Sequence, residues 1–145
     1  MIALIQRVNY ARLSIGGMQH AVIDKGLVVL LGIEKSDTRA QGEKLLQKVL
    51  DYRVFADLEG RMNLSVSAIS GQIMLVSQFT LAADTGRGLR PSFTSAMPPA
   101  EAEVLYHELV RWLQASYSNV VTGQFGADMK ILLENDGPVT FSLRA

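Results

Sequence analysis

Three hydrogen-bonding side chains, Ser77, Gln78 and Thr80, surround Phe79 directly after an apolar run of Ile73, Met74, Leu75 and Val76. A buried strand that turns polar just before a long Gly/Arg-rich loop makes a natural floor for an active site. Thr80 is the one candidate nucleophile there. With no neighbouring base its hydroxyl is weak at neutral pH, so Thr80 alone does not make a hydrolase. It also suits a strand end with no chemical role, and Ser77 and Gln78 serve equally well to satisfy backbone groups. Gly137–Pro138 has the composition of a turn. Arg7 is a charged side chain in a largely apolar strand, which calls for a partner.

Other familiar constellations are missing. The chain has no cysteine, which removes disulfides, thiolate nucleophiles and Cys-based metal sites. His20 falls in a short hairpin strand and His107 lies off the apolar stripe of a helix, so both read as surface or packing residues. No His/Asp/Glu cluster has ligand spacing, so no metal is expected. Gly86, Arg87 and Gly88 are too short a run for a phosphate-binding loop, and no cofactor is expected.

These residues must be positioned by one domain, residues 1–145. The hydrophobic fraction is 48% and the charged fraction 19%, an ordinary globular composition that argues against disorder. Fourteen basic side chains balance 14 acidic ones, which disfavours a protein that wraps long nucleic acid but suits one that grips a short RNA end. The N-terminal stretch lacks a signal-peptide pattern. The longest near-continuous apolar run, residues 26–33, is far short of the ~20 residues that span a bilayer. The expectation is a soluble, cytoplasmic protein with no membrane partner.

Alternation predicts strands over residues 2–8, 11–15 and 19–23, with Gly16 and Gly17 as a hairpin turn. Residues 27–33 read as a fully buried strand. Ser36 and Asp37 are expected to cap a helix over residues 38–50, whose buried face is Leu45, Leu46, Val49 and Leu50. Gly42 inside it should cost on the order of 1 kcal/mol against alanine. Short strands are expected over residues 53–55 and 62–66, then the strand that opens at Gly71 and carries Ser77 to Thr80. Residues 82–95 form a loop long enough to suggest function. Pro98 and Pro99 announce a second helix running to about Ala115, with Ala102, Leu105, Leu109, Trp112 and Leu113 buried. Three β-like segments finish the chain: residues 120–125, 129–133 and 139–143. The fold class is therefore α+β and mainly antiparallel, with two principal helices.

Two stretches carry a resemblance. Residues 77–82 followed by Arg90, Pro91, Ser92 and Phe93, together with residues 135–140 (Asn, Asp, Gly, Pro, Val, Thr), closely resemble the signatures of the D-aminoacyl-tRNA deacylases. Residues 1–8 and 30–35 resemble the same family, and the likeness spans essentially the whole chain. It implies a barrel-like, homodimeric enzyme that needs no metal and hydrolyses the ester joining a D-amino acid, or glycine as on mischarged tRNA(Ala), to the 3′-terminal adenosine of tRNA. It also implies a cis Gly137–Pro138 bond. Gly137 and Pro138 of one subunit would then enter the pocket built on Ser77, Gln78, Phe79 and Thr80 of the other.

A pocket that rejects L-amino acids needs a rigid wall at the α-carbon, and a Gly-Pro backbone supplies one with no side chain to swing away. Glycine escapes such a device. Arg7 either braces the Gly-Pro loop or is a surface arginine on a hairpin edge. For the chemistry, either Thr80 attacks the ester, or backbone amides near Phe79 and Thr80 polarise the carbonyl while a ribose hydroxyl helps activate water. The second is favoured because no base is evident. Arg87, Arg90 and Lys35 are the candidate phosphate contacts. The rival readings are a sister proofreading deacylase acting on small L-amino acids and a non-catalytic RNA-end-binding domain.

Overall fold

The computed structural model describes residues 1–86 and 88–145. The order of elements is β1 (Ile2–Ile15), β2 (Met18–Ile23), β3 (Gly26–Gly32), α1 (Arg39–Asp51), β4 (Phe55–Ala56), β5 (Met62–Leu64), β6 (Gln72–Ser77), a 3-10 turn (Phe79–Ala82), α2 (Pro99–Ser116), β7 (Val120–Thr122) and β8 (Met129–Arg144). The main sheet runs β2-β1-β3-β6-β7, with β8 on the other edge of β1. It is antiparallel around β1 but parallel where β6 joins β3 and β7 joins β6. The sheet is thus mixed, because the long connections through α1 and α2 return β6 and β7 in the direction of β3. It curls into a nearly closed, barrel-like form that brings β2 close to β6 and β7.

Both faces of this sheet are apolar. Leu27, Val29 and Leu31 of β3 and Ile73 and Leu75 of β6 pack under the helices with Leu45, Leu46, Leu105 and Leu109. Val28, Met74 and Val76 turn to the inside of the barrel with Leu13 and Ile23. Side chains of a strand alternate between faces, so continuous apolar runs are what a sheet covered on both sides requires.

The two strands expected over residues 2–8 and 11–15 are one. Ala3 and Ile5 face the helical core, whereas Val8, Ala11 and Leu13 face the barrel interior. The change of parity is a bulge: Val8 pairs with Asn135 and Tyr10 with Glu134, leaving Asn9 as the extra residue on β1. Likewise the segments over 129–133 and 139–143 are one strand, β8. Its ladder to β1 is interrupted, Gln6 pairing with Thr140 but Val8 with Asn135, so residues 136–139 are thrown out of the sheet.

Helix α1 is capped by Thr38 rather than by Ser36 or Asp37, in a reciprocal capping box with Gln41. Asp37 instead holds the Met1 ammonium, Oδ1 at 2.6 Å, with Glu34 at 3.0 Å. In α2, Trp112 is only partly buried and the fully buried ring is Tyr106. Among the described residues no helix is long and apolar enough to cross a membrane.

Gly42, which the sequence marks only as a propensity cost inside the helix, is buried at the α1–α2 contact. A Cβ there would sit 2.6 Å from both methyl carbons of Leu109 and 3.1 Å from Met1 Cε. Helix propensity alone expects a slight gain from Gly42→Val. Packing expects the reverse, because Leu109 is itself fully buried. The substitution should lower stability by about 2 kcal/mol, read as a fall in the urea midpoint at unchanged slope; a rise would refute the packing account.

Candidate active site

Strand β6 ends at Ser77, and the chain turns at once. Gln78 N–H still donates to Leu31 O (2.8 Å), after which Phe79–Ala82 form the single 3-10 turn. Thr80 therefore sits in a turn and not at a strand end. The turn can lie this close to β3 because residue 32 is glycine: a Cβ there would meet Leu81 Cβ at 2.8 Å and Gln78 O at 3.1 Å. Its opening amides, on Phe79 and Thr80, have no backbone acceptor among the described residues, as expected of donors at a helical start.

Below the turn lies a cleft of about 630 Å³ at the mouth of the barrel, within the usual range for small-molecule sites. Leu31, Val76, Phe93, Met97, Phe125 and Met129 supply much of its wall. Ser77, Gln78 and Phe79 also line it, whereas Thr80 stands at the rim and lines none of it. Gln78 Nε2 donates to Thr80 Oγ1 at 2.6 Å. With its oxygen already accepting, the threonine hydroxyl keeps its own proton to donate outward. Among the described residues the only carboxylate on the wall is Asp128, and Lys130 Nζ holds it at 3.0 Å. Neither imidazole is near: His20 is exposed, and His107 faces Glu103 at 3.8 Å on the surface of α2.

Phe79 and Phe93 are exposed to 60% and 41%, their rings 5.0 Å apart. Exposed aromatics beside an apolar cleft mark a surface built to be covered. Beneath it, the Tyr106 hydroxyl donates to Leu75 O at 3.0 Å. Burial pushes this phenol well above its ordinary pKa, so it remains a neutral donor fixing β6 from behind.

Gly137 and Pro138 are elsewhere. They lie in the exposed excursion of β8 and do not line the cleft of their own chain. Their peptide bond is cis. Gly137 has φ of +125°, and a Cβ there would meet Val139 Cγ2 at 2.6 Å and Arg7 Nη2 at 3.0 Å, so only glycine fits. Asn135 Oδ1 accepts from Val139 N–H at 2.9 Å and closes the excursion at its base.

Arg7 lies directly opposite the gap in the ladder. Its Nη1 donates to Val54 O at 2.6 Å, and its Nε to Asp136 O at 3.2 Å, with Asp136 Oδ2 at 3.0 Å. One guanidinium thus ties the segment after α1 to the Gly-Pro excursion, a use of the planar fork that lysine cannot copy. Sequence reading leaves two roles open for Arg7, and the structure shows its guanidinium beside Gly137. Sequence reading misses Met97, Phe125 and Met129, which come from separated segments with no shared local signal. Of the candidate phosphate contacts, Lys35 and Arg90 are exposed, and Arg87 lies outside the described residues.

A sequence model of the family described as D-Tyr-tRNA(Tyr) deacylase matches residues 4–144. A protein of Shewanella baltica (strain OS185) named D-aminoacyl-tRNA deacylase is 56% identical over 144 residues, covering 99% of each chain. One of the same name from Saccharophagus degradans is 54% identical over 143 residues, again with 99% coverage of each. Among solved structures, the c-Myc DNA unwinding element binding protein superposes with a TM-score of 0.96 at 39% identity, covering 100% of this chain and 99% of its own. A probable eukaryotic D-amino acid tRNA deacylase superposes with a TM-score of 0.85 over 98% of both chains; at 13% identity this speaks for the fold alone.

Arg7→Ala should destabilise the fold by about 1–3 kcal/mol, because it leaves carbonyl groups without their donor. It should also speed amide hydrogen exchange at Val139, whose bond belongs to the excursion. Arg7→Lys should recover little of either. Unchanged exchange at Val139 in both variants would show that Arg7 does not hold the excursion.

Proposed function

The chain belongs to the D-Tyr-tRNA(Tyr) deacylase family, and on that premise we propose that it hydrolyses the ester of D-aminoacyl-tRNA to free tRNA and D-amino acid in the cytoplasm. The observation that carries the reading is the cleft at the barrel mouth. It is sized for an aminoacylated nucleoside, its walls are mostly apolar, and Ser77 and Gln78 line one rim with Thr80 standing beside them. A terminal adenosine suits the apolar walls, and the ester then falls at the polar rim.

The chemistry follows from what the rim holds. Among the described residues no imidazole or free carboxylate stands beside Thr80 to take its proton, and Gln78 already donates to its oxygen. Thr80 is therefore a hydrogen-bond donor in this reading and not the nucleophile. The amides of Phe79 and Thr80 polarise the carbonyl oxygen as its charge develops, and a ribose hydroxyl of the RNA helps activate water.

Chirality is read by the other half. We assign Gly137 and Pro138 of a second copy to the wall at the substrate α-carbon, so that the active form is a homodimer with its sites at the interface. Support comes from exposure: the Gly-Pro excursion projects from one face, while Phe79 and Phe93 lie uncovered beside the cleft. An L side chain would point into backbone, a steric conflict rather than a weakened contact. Glycine has no side chain to clash, so glycyl-tRNA, including glycine mischarged on tRNA(Ala), is hydrolysed as well. Arg7 positions the wall.

Incubation with D-tyrosyl-, L-tyrosyl-, L-alanyl- and glycyl-tRNA tests this directly. Deacylation of the D-tyrosyl and glycyl substrates alone is expected. Preference for L-alanyl-tRNA would assign the sister proofreading activity, and binding without turnover an RNA-end-binding domain. In single turnover, Thr80→Ala should stay within about tenfold of the parent rate, a change of ~1.4 kcal/mol in the barrier. Removing the terminal 2′-hydroxyl should cost far more. A loss of several orders in Thr80→Ala would reinstate the nucleophile.

A further inference from the structure

Beside the Gly-Pro excursion, away from the cleft, lies an open groove of about 550 Å³ lined by Lys48, Asp51, Tyr52, Arg53, Met62 and Phe141. Nothing in the catalytic reading uses it. Tyr52 and Phe141 meet edge to face, centroids 5.6 Å apart at 70°, and leave ring surface along the groove. Lys48 and Arg53 are both exposed and enter no ion pair among the described residues. The one acid here, Asp51, already accepts from Gln47 Nε2 at 2.8 Å. Lys44 lies one turn before Lys48 and is likewise exposed without an ion pair among these residues. By contrast, several cations elsewhere face carboxylates, as in Arg39–Glu43, Arg61–Glu59 and Arg144–Glu34.

The groove is physically continuous with the excursion. Arg53 immediately precedes Val54, whose carbonyl is one anchor of Arg7, and Asp136 is the other. Phe141 follows Pro138 by three positions, a reach of at most about 10 Å. Whatever rests against Gly137 and Pro138 therefore lies within a nucleotide or two of the groove. Aromatic rings with cations along one side are what an unpaired RNA strand requires, bases stacking while phosphates meet the charges.

We propose that this groove binds the unpaired 3′-terminal strand of tRNA, with Tyr52 and Phe141 stacking a base next to the terminal adenosine and Lys48 and Arg53 contacting its phosphates. The proposal rests on the deacylase reading above. With the site shared between copies, the subunit that lends the Gly-Pro wall also holds the RNA strand leading into its partner's cleft. Two contacts of this kind agree with a neutral protein that grips only a short end.

The test compares two substrates, D-tyrosyl-tRNA and the D-tyrosyl ester of adenosine, which carries no phosphate. In the double variant Lys48→Glu, Arg53→Glu, kcat/KM on the tRNA should fall at least tenfold more than on the adenosine ester. The salt slope of binding to uncharged tRNA should shrink by about two, one per lost contact. The same reversal at Arg111, exposed on α2, should change neither. Tyr52→Ala should reproduce the preferential loss on tRNA without altering the salt slope. Equal loss on both substrates, or an unchanged slope in the double variant, overturns the proposal. So does a shift to monomers in sedimentation, which would make the groove an interface between copies. A parent enzyme that hydrolyses neither substrate would instead sink the deacylase reading itself.

Discussion

The interruption of the β1–β8 ladder is the constraint on which the rest of the structure depends. Pairing runs from Ile2 to Gln6 and resumes at Val8, but on β8 the corresponding step jumps from Thr140 to Asn135. The residues between cannot stay in the sheet, so they project as the Gly-Pro excursion. One residue further along, Asn9 is extra on β1, and the parity of that strand reverses. A single long strand can then bury Ala3 and Ile5 under the helices and Ala11 and Leu13 inside the barrel. The same irregularity exposes the excursion and lets one sheet serve two cores.

The guanidinium of Arg7 fills the gap this creates. A charge at the border of an apolar core is tolerated because its donors are met by Val54 O and by both the carbonyl and carboxylate of Asp136. Those bonds make the excursion a fixed part of the molecule. They also couple it to the segment after α1, which joins the groove at Tyr52 and Arg53 to the excursion.

At the barrel mouth the two cores meet, and the cleft opens where neither can close over the other. β6 brings its apolar residues to both cores and its last residue, Ser77, to the rim. The described residues on either side of Arg87, 83–86 and 88–98, are pinned by Asp84 to Ser92, by the Ser95 hydroxyl to Ala82 O and by Lys35 N–H to Ser95 O. Through Phe93 and Met97 this segment builds one side of the cleft.

The sequence by itself determined the two helices, most strands, the buried stripe of α1 and the polar end of β6, because these rest on local alternation and capping that a short window contains. It also marked Ser77 to Thr80 by their polarity after an apolar run and Arg7 by its charge in an apolar strand, while Gly137 and Pro138 were marked through a resemblance carried by residue wording rather than by geometry. The tertiary structure alone decided that residues 2–15 form one strand, since a bulge disguises its alternation, and that β6 and β7 run parallel to β3. It alone turned Gly42 from a propensity cost into a packing requirement against Leu109. And it alone set Gly137 and Pro138 apart from the cleft of their own chain. Sequence order places motifs along a line; only long-range pairing fixes which face of the sheet each one ends on.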